Sequence, residues 1–168
     1  MAAAGGGPGL VLVVDGSNVA CSVEPRLEDR QVLDRAATVA ARLDARLVAV
    51  FDGDGPLAAP GRRIDAGSVA VVATGSRPAD PRIERIVREE LTAGAEVVVV
   101  TADRAVVDAT TGPQVRTWAP ARLLAEASEP AASAHDPQAE VEGPATSRLA
   151  TVLPAEVLER LEALRRST

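Results

Sequence analysis

Apolar positions along the chain fall into short, unbroken aliphatic runs at residues 10–14, 47–51, 69–73 and 97–100. These runs lack polar alternation, the pattern of strands covered on both faces in a parallel sheet. A weaker fifth strand is expected at 114–117. Between the runs the apolar spacing turns helical. Val32, Leu33, Ala36, Ala37, Ala40 and Leu43 form one face of a helix over 27–43, and Ile83, Ile86, Val87 and Leu91 one face over 81–91. Shorter helices are expected from about Asp103 and over 120–127. Strand followed by helix, repeated, predicts a doubly wound α/β sheet of about five strands with flanking helices.

The connection from Phe51 to Val69 departs from this rhythm. Gly53, Gly55, Pro56, Pro60, Gly61 and Gly67 discourage a helix, so a long loop is expected, and long loops in compact domains are often functional. The pattern divides the chain into a glycine-rich tail at 1–9, one domain at 10–127, a flexible Pro/Ala/Ser/Glu/Gly linker at 128–150 and an amphipathic helix within 151–168. Val157, Leu158, Leu161 and Leu164 form the stripe of that last helix. Docking on its own domain is the favoured use of the stripe, ahead of partner contact or homo-oligomer formation. No internal repeat is seen.

Composition narrows the chemistry. The chain has 168 residues, enough for one domain with a buried core but not for two plus linkers. Its only aromatic residues are Phe51 and Trp118, so base recognition on several stacked rings has nothing to build with. All 18 basic residues are arginine, which excludes lysine-dependent phosphate loops, Schiff bases and pyridoxal chemistry. A net charge of −6 disfavours broad coating of nucleic acid or membrane, while leaving room for a local basic groove. Cys21 stands alone, so no disulfide framework or cysteine zinc site is expected and a reducing cytoplasm is the natural setting. The start lacks the basic residues of a secretory signal, and no apolar run approaches membrane-helix length; neither export nor membrane insertion is expected.

Ligands of open parallel sheets bind beyond the carboxyl ends of the strands, and there this sequence is acidic. Asp15 closes the first run, Asp52 and Asp54 follow the second, Asp80 lies beyond the third and Asp103 follows the fourth. Carboxylates gathered in one concavity repel one another unless cations balance them. Oxygen donors without nearby Cys or His suit Mg²⁺ or Mn²⁺, which can polarise a phosphoryl oxygen and acidify a bound water. Phosphodiester hydrolysis is the implied chemistry. Blander uses exist for each residue: Asp80, before Pro81, and Asp103 could be helix N-caps, and Asp52 and Asp54 ordinary turn residues. Asp15 is harder to explain away, because a carboxylate directly after a buried strand is costly without a purpose. Gly16 is expected to free the backbone for a turn beside it.

The order Val13-Val14-Asp15-Gly16-Ser17-Asn18-Val19, Val50-Phe51-Asp52-Gly53, Ala79-Asp80-Pro81-Arg82-Ile83-Glu84-Arg85-Ile86-Val87 and Val99-Val100-Thr101-Ala102-Asp103-Arg104 resembles the NYN-domain ribonucleases of the PIN-like superfamily, particularly the YacP-like branch. The resemblance spans about 10–127 and stops before the linker. It implies a PIN-like sheet in strand order 3-2-1-4-5 and a Mg²⁺- or Mn²⁺-dependent endoribonuclease. It also implies that Asp15, Asp80 and Asp103 are the principal metal carboxylates, that Asn18 orients the first loop or touches the scissile phosphate, and that Asp52 is an auxiliary acid acting through water. RNA is the implied partner, with the ribosome or RNA-processing proteins beside it. Ser17 stands where many relatives carry an aromatic residue and Pro81 where many carry a second acid, so weakened catalysis is one consequence of the resemblance.

Phosphate binding falls to Arg62 and Arg63 in the long loop, Arg77 and Arg104. Arg82, Arg85 and Arg88 are ranked below them, as a solvated helix face paired with Glu84, Glu89 and Glu90; pairing of Glu84 with Arg88 is preferred to a place in the site. His135 falls in the linker, Cys21 lacks a histidine partner, and Trp118 is expected to pack under the fifth strand. Three functions compete: a metal-dependent endoribonuclease, a binding or assembly module that has lost turnover, and a haloacid-dehalogenase-like phosphatase built on Asp52 and Asp54. The last lacks the lysine that such an enzyme uses.

Overall fold

The computed structural model describes residues 9–129. The tail at 1–8, residues 130–150 of the expected linker, His135 and the expected C-terminal helix lie outside the described residues. The chain runs β1 (Leu10–Asp15), α1 (Gly16–Cys21), α2 (Asp29–Arg42), β2 (Arg46–Phe51), a 3₁₀ turn (Gly55–Leu57), β3 (Arg63–Ala66), β4 (Val69–Ala73), α3 (Asp80–Thr92), β5 (Glu96–Val100), α4 (Arg104–Thr110), β6 (Val115–Trp118) and α5 (Pro120–Ser128).

The sheet order is β3-β4-β2-β1-β5-β6. The five expected strands appear as β1, β2, β4, β5 and β6, all parallel and in the expected 3-2-1-4-5 order. The difference is β3. Part of the stretch expected to be a loop turns back through Gly67 and Ser68 and pairs antiparallel with β4, matching Arg63 to Val72 and Ala66 to Val69. Two of its four residues are exposed and one is half-buried, so its hydrophobic pattern is too faint to mark a strand. Pairing with the edge of β4 supplies what the pattern lacks.

Successive strand residues point to opposite faces. Leu12, Val14, Leu47, Ala49, Phe51, Val98 and Val100 pack with Val32, Leu33, Ala36 and Ala40 of α2 and Leu123 of α5. Val11, Val13, Val48, Val50, Val97 and Val99 pack with Ile83, Ile86 and Val87 of α3 and Val106 of α4. Each buried Val, Leu or Ile contributes about 1.5–3 kcal/mol relative to exposure, and this two-sided burial holds the central strands in register. Trp118 is buried at the end of β6, and the Arg122 guanidinium lies 4.0 Å from its ring centroid. Arg42 donates to the backbone carbonyls of Glu126 and Glu129, tying α2 to the end of α5. Among the described residues no helix is long and apolar enough to cross a membrane.

Candidate functional site

Parallel β1, β2, β4 and β5 all end on one rim, and every acid singled out above follows one of these ends. Asp15 is the last residue of β1 and is 4% exposed. The chain turns directly from it into α1. One carboxylate oxygen, Oδ1, accepts the backbone N–H of Asn18 at 3.2 Å, which caps α1. The other, Oδ2, accepts the hydroxyl of Thr101 at 3.0 Å. Burial raises the Asp15 pKa from an ordinary 3.8 to about 6; the two hydrogen bonds oppose the rise, and the charges of Asp80 and Asp52 add to it.

Gly16 serves here in a different way from the one expected. It lies inside α1, and a Cβ added to it would sit 2.2 Å from Cε1 of Phe51. Close packing on the only phenylalanine, rather than backbone freedom at a turn, requires glycine. The α1 start can then lie against the end of β2.

Neighbouring backbone groups bind the rim together. The Ser17 hydroxyl accepts the N–H of Asp52 at 2.8 Å, and Oδ1 of Asp52 accepts the N–H of Ala79 at 2.8 Å, so Asp52 links β2 to the start of α3. Oδ1 of Asn18 accepts the N–H of Ala102 at 2.8 Å, joining α1 to the loop after β5. The N–H of Asp103 donates to the Thr101 hydroxyl at 3.1 Å, while Oδ1 of Asp103 accepts the N–H of Ala105 at 2.8 Å and caps α4. Asp103 is therefore a helix cap as well as a rim acid.

Asp80 is not the N-cap that its proline neighbour suggests. The cap position is Ala79, Asp80 is the first helical residue, and no capping bond forms there. A carboxylate in this position is favoured by the helix field, and it accepts its own backbone N–H. Its pKa is nonetheless raised, by burial first and then by the charges of Asp103, Asp52 and Glu84. Glu84 forms no salt bridge with Arg88 among the described residues, so the expected pair is absent. Glu84 instead adds its charge to the field at Asp80.

The fold thus brings Asp15, Asp52, Asp80 and Asp103 to one rim, where their charges act on one another. It does not close them into a cage: among the described residues no three acid, histidine or cysteine side chains are arranged to hold a metal ion. Oδ1 of Asp52 and of Asp103 are occupied by backbone N–H groups, and both oxygens of Asp15 are hydrogen-bonded. In kind, the donors still fit a hard divalent cation, being oxygen only and mutually repulsive.

Thr101 and Ser17 were given no role by sequence reasoning. The available signal was a hydroxyl residue immediately beyond a buried strand or beside a strand-end acid.

The arginines separate into two groups. Arg62, Arg63 and Arg77 line one groove of about 740 Å³, together with Arg82 and Arg85 of α3. Arg85 is exposed and approaches Glu89 at 3.7 Å, as expected of a solvated helix face, and both Arg82 and Arg85 also border the groove. Arg104 starts α4 on the rim and is outside the groove.

The sheet order and strand-end acids define a PIN-like α/β domain. Two crystal structures of Rae1 (YacP) from Bacillus subtilis share this fold. One, of a tryptophan-to-leucine mutant, is 21% identical with a TM-score of 0.54, over 70% of this chain and 74% of that one. The second is 19% identical with a TM-score of 0.52, over 70% and 72%. No curated protein matches the sequence significantly. The chain belongs to the YacP-like NYN domain family, whose model matches residues 12–166. That match continues past residue 127, where the recognisable motifs stop. Family membership removes the ground for a haloacid-dehalogenase-like reading of Asp52 and Asp54.

Proposed function

We propose that the protein is a divalent-metal-dependent endoribonuclease that hydrolyses RNA phosphodiester bonds, with Mg²⁺ or Mn²⁺ held by Asp15, Asp80 and Asp103. The observation that carries this reading is the buried Asp15 carboxylate at the end of the central strand, kept in place by Thr101 and Asn18 although Asp80 and Asp52 oppose its charge. A buried acid under repulsion destabilises the fold, a cost that a bound cation would offset and that a functional site explains. A divalent cation there would neutralise charge on the phosphoryl group and acidify an attacking water.

The protein's own residues divide the remaining work. Asp15 supplies the fixed carboxylate. Asp80 and Asp103 supply the partly exposed carboxylates that flank it. Asn18 holds the Ala102 N–H and with it the loop that leads to Asp103. Asp52 acts chiefly by holding Ala79, and thus the position of Asp80, with an auxiliary charge for the cation. Arg104 adjoins Asp103 as a phosphate contact. RNA is the substrate and the cytoplasm the setting.

The test is cleavage of labelled RNA by the full chain. Mn²⁺-stimulated cleavage, lost in Asp15→Asn and in Asp80→Asn, is the expected result; undiminished cleavage in excess EDTA overturns it. A second reading, an RNA-binding module without turnover, draws on Pro81, which stands where many relatives carry a second acid. Tight RNA binding with no cleavage under any divalent ion would select it.

A further inference from the structure

The long connection between β2 and β4 and the outer face of α3 carry arginines from distant parts of the sequence to one groove. Arg62 and Arg63 come from the β3 side, Arg77 from the loop after β4, and Arg82 and Arg85 from α3. No carboxylate lines it. In a chain of net charge −6, this is a local inversion of sign. Arg63 is engaged by Asp65 and Arg85 by Glu89, whereas Arg62, Arg77 and Arg82 form no salt bridge among the described residues.

Gly75 shapes the groove. Its φ is 66°, and a Cβ there would lie 3.2 Å from the backbone nitrogen of Gly61, so the loops on either side approach more closely than another residue would allow. The groove extends to Pro78 and Pro81, which bracket Asp80 in the chain.

We infer that this groove is a track for the phosphate backbone of single-stranded RNA, leading the strand to Asp80. The inference rests on the ribonuclease reading above and names the form of its substrate. Arginines on both sides can flank a chain one strand wide, whereas a duplex meets a surface with its phosphates on the outside of a broad cylinder. The floor includes Val72, Ala73, Pro78 and Pro81, which offer contact to sugars and base faces but no base code. No aromatic ring lines the groove, so successive bases have no platform to stack on, and its polar side chains are the arginines with Thr74 and Ser76.

Binding is measured by fluorescence anisotropy on the full chain in EDTA, with a short uridine homopolymer checked to remain intact. Three unpaired arginines predict a slope of log affinity against log salt of about −2, at roughly −0.7 per phosphate neutralised on a single strand. The double variant Arg62→Ala/Arg82→Ala is expected to bind about tenfold or more weakly, with the slope falling to about −0.7. Arg88→Ala, an exposed charge on α3 outside the groove, is expected to bind as the parent does. Circular dichroism establishes that the variants are folded. A duplex of the same length is expected to bind at least roughly tenfold more weakly than the single strand.

Unchanged binding by the double variant, an equal loss in Arg88→Ala, or a preference for duplex overturns the inference. Parallel cleavage assays in Mn²⁺ separate the two readings. Cleavage by the parent with unchanged binding in the double variant removes the groove and leaves the nuclease. Groove-dependent binding without cleavage by the parent removes the nuclease and leaves the groove.

Discussion

The hydroxyl of Thr101, one residue beyond β5, donates to Oδ2 of Asp15 at the end of neighbouring β1, 3.0 Å away and 86 residues apart in the chain. The same hydroxyl accepts the N–H of Asp103. One buried side chain thereby sets the positions of two of the proposed metal carboxylates. It also favours the charged form of Asp15 against the burial that opposes it.

Replacing Thr101 with valine keeps the shape and removes both bonds. Oδ2 of Asp15 and the N–H of Asp103 lose their partner, at an expected cost of about 1–3 kcal/mol in urea unfolding. The Asp15 pKa moves further above about 6, so the acid limb of the pH–activity profile shifts to higher pH. Thr101→Ser restores both the profile and most of the stability. A profile that stays in place in the valine variant would reduce Thr101 to a packing residue.

Asp15 also makes stability depend on pH in a definite direction. Its pKa is raised in the folded state, so its stabilising contribution is fully present below the unfolded value near 3.8 and is lost as pH rises through about 6. In EDTA, Asp15→Asn removes this dependence and is expected to be more stable than the parent at pH 7 by about 3 kcal/mol. The gap should close toward pH 4. Urea midpoints of both proteins across this range test the sign, and a variant less stable at every pH would contradict it.

Bound divalent cation should relieve the repulsion among Asp15, Asp80, Asp52 and Asp103. Thermal unfolding with Mn²⁺ at about 100 times its Kd is expected to show about 2.7 kcal/mol of added stability, seen as a rise in Tm. Asp15→Asn and Asp80→Asn should lose most of that rise, and EDTA should abolish it. A rise equal in all three proteins would place the ion elsewhere.

The contact of Gly16 with Phe51 predicts that Gly16→Ala is destabilising even though alanine is the better helix former. A methyl group forced against a buried ring is expected to cost about 1–3 kcal/mol. Adding Phe51→Leu should recover part of that loss in the double variant. Additive losses would mean that the crowding lies elsewhere.

Asp52 offers a way to separate bracing from charge. Asp52→Asn keeps an oxygen for the Ala79 N–H, whereas Asp52→Ala removes it. The alanine variant is expected to lose about 1 kcal/mol of stability and to lower activity, and the asparagine variant to retain both to within a few-fold. Equal damage in the two variants would assign Asp52 to the cation directly.

Much of the framework could be read along the chain because its periodicities are local. The aliphatic runs at β1, β2, β4 and β5 need no knowledge of their partners to be recognised, since strands buried on both faces are apolar at successive positions. The helical spacing of Ile83, Ile86 and Val87 is equally plain in α3. The short edge strand β3 was not legible, because Arg63 and Asp65 point to solvent and only pairing with β4 makes the segment a strand. Nor was the place of Arg82 and Arg85, whose spacing on α3 fits a solvated face until the opposite wall of the groove is known.

Linear order therefore determined the α/β class, the central strands and the acidic residues at their ends, all of which follow from near-neighbour patterns and the direction of a parallel sheet. Tertiary structure decided which atoms those acids engage: Thr101 on Asp15, Ala79 on Asp52, and the Phe51 ring that excludes any side chain at residue 16. The division has a physical cause. Burial along one element leaves a periodic trace in its own residues, while hydrogen bonds and charge coupling across the rim depend on distances that arise only when separate strands are brought side by side.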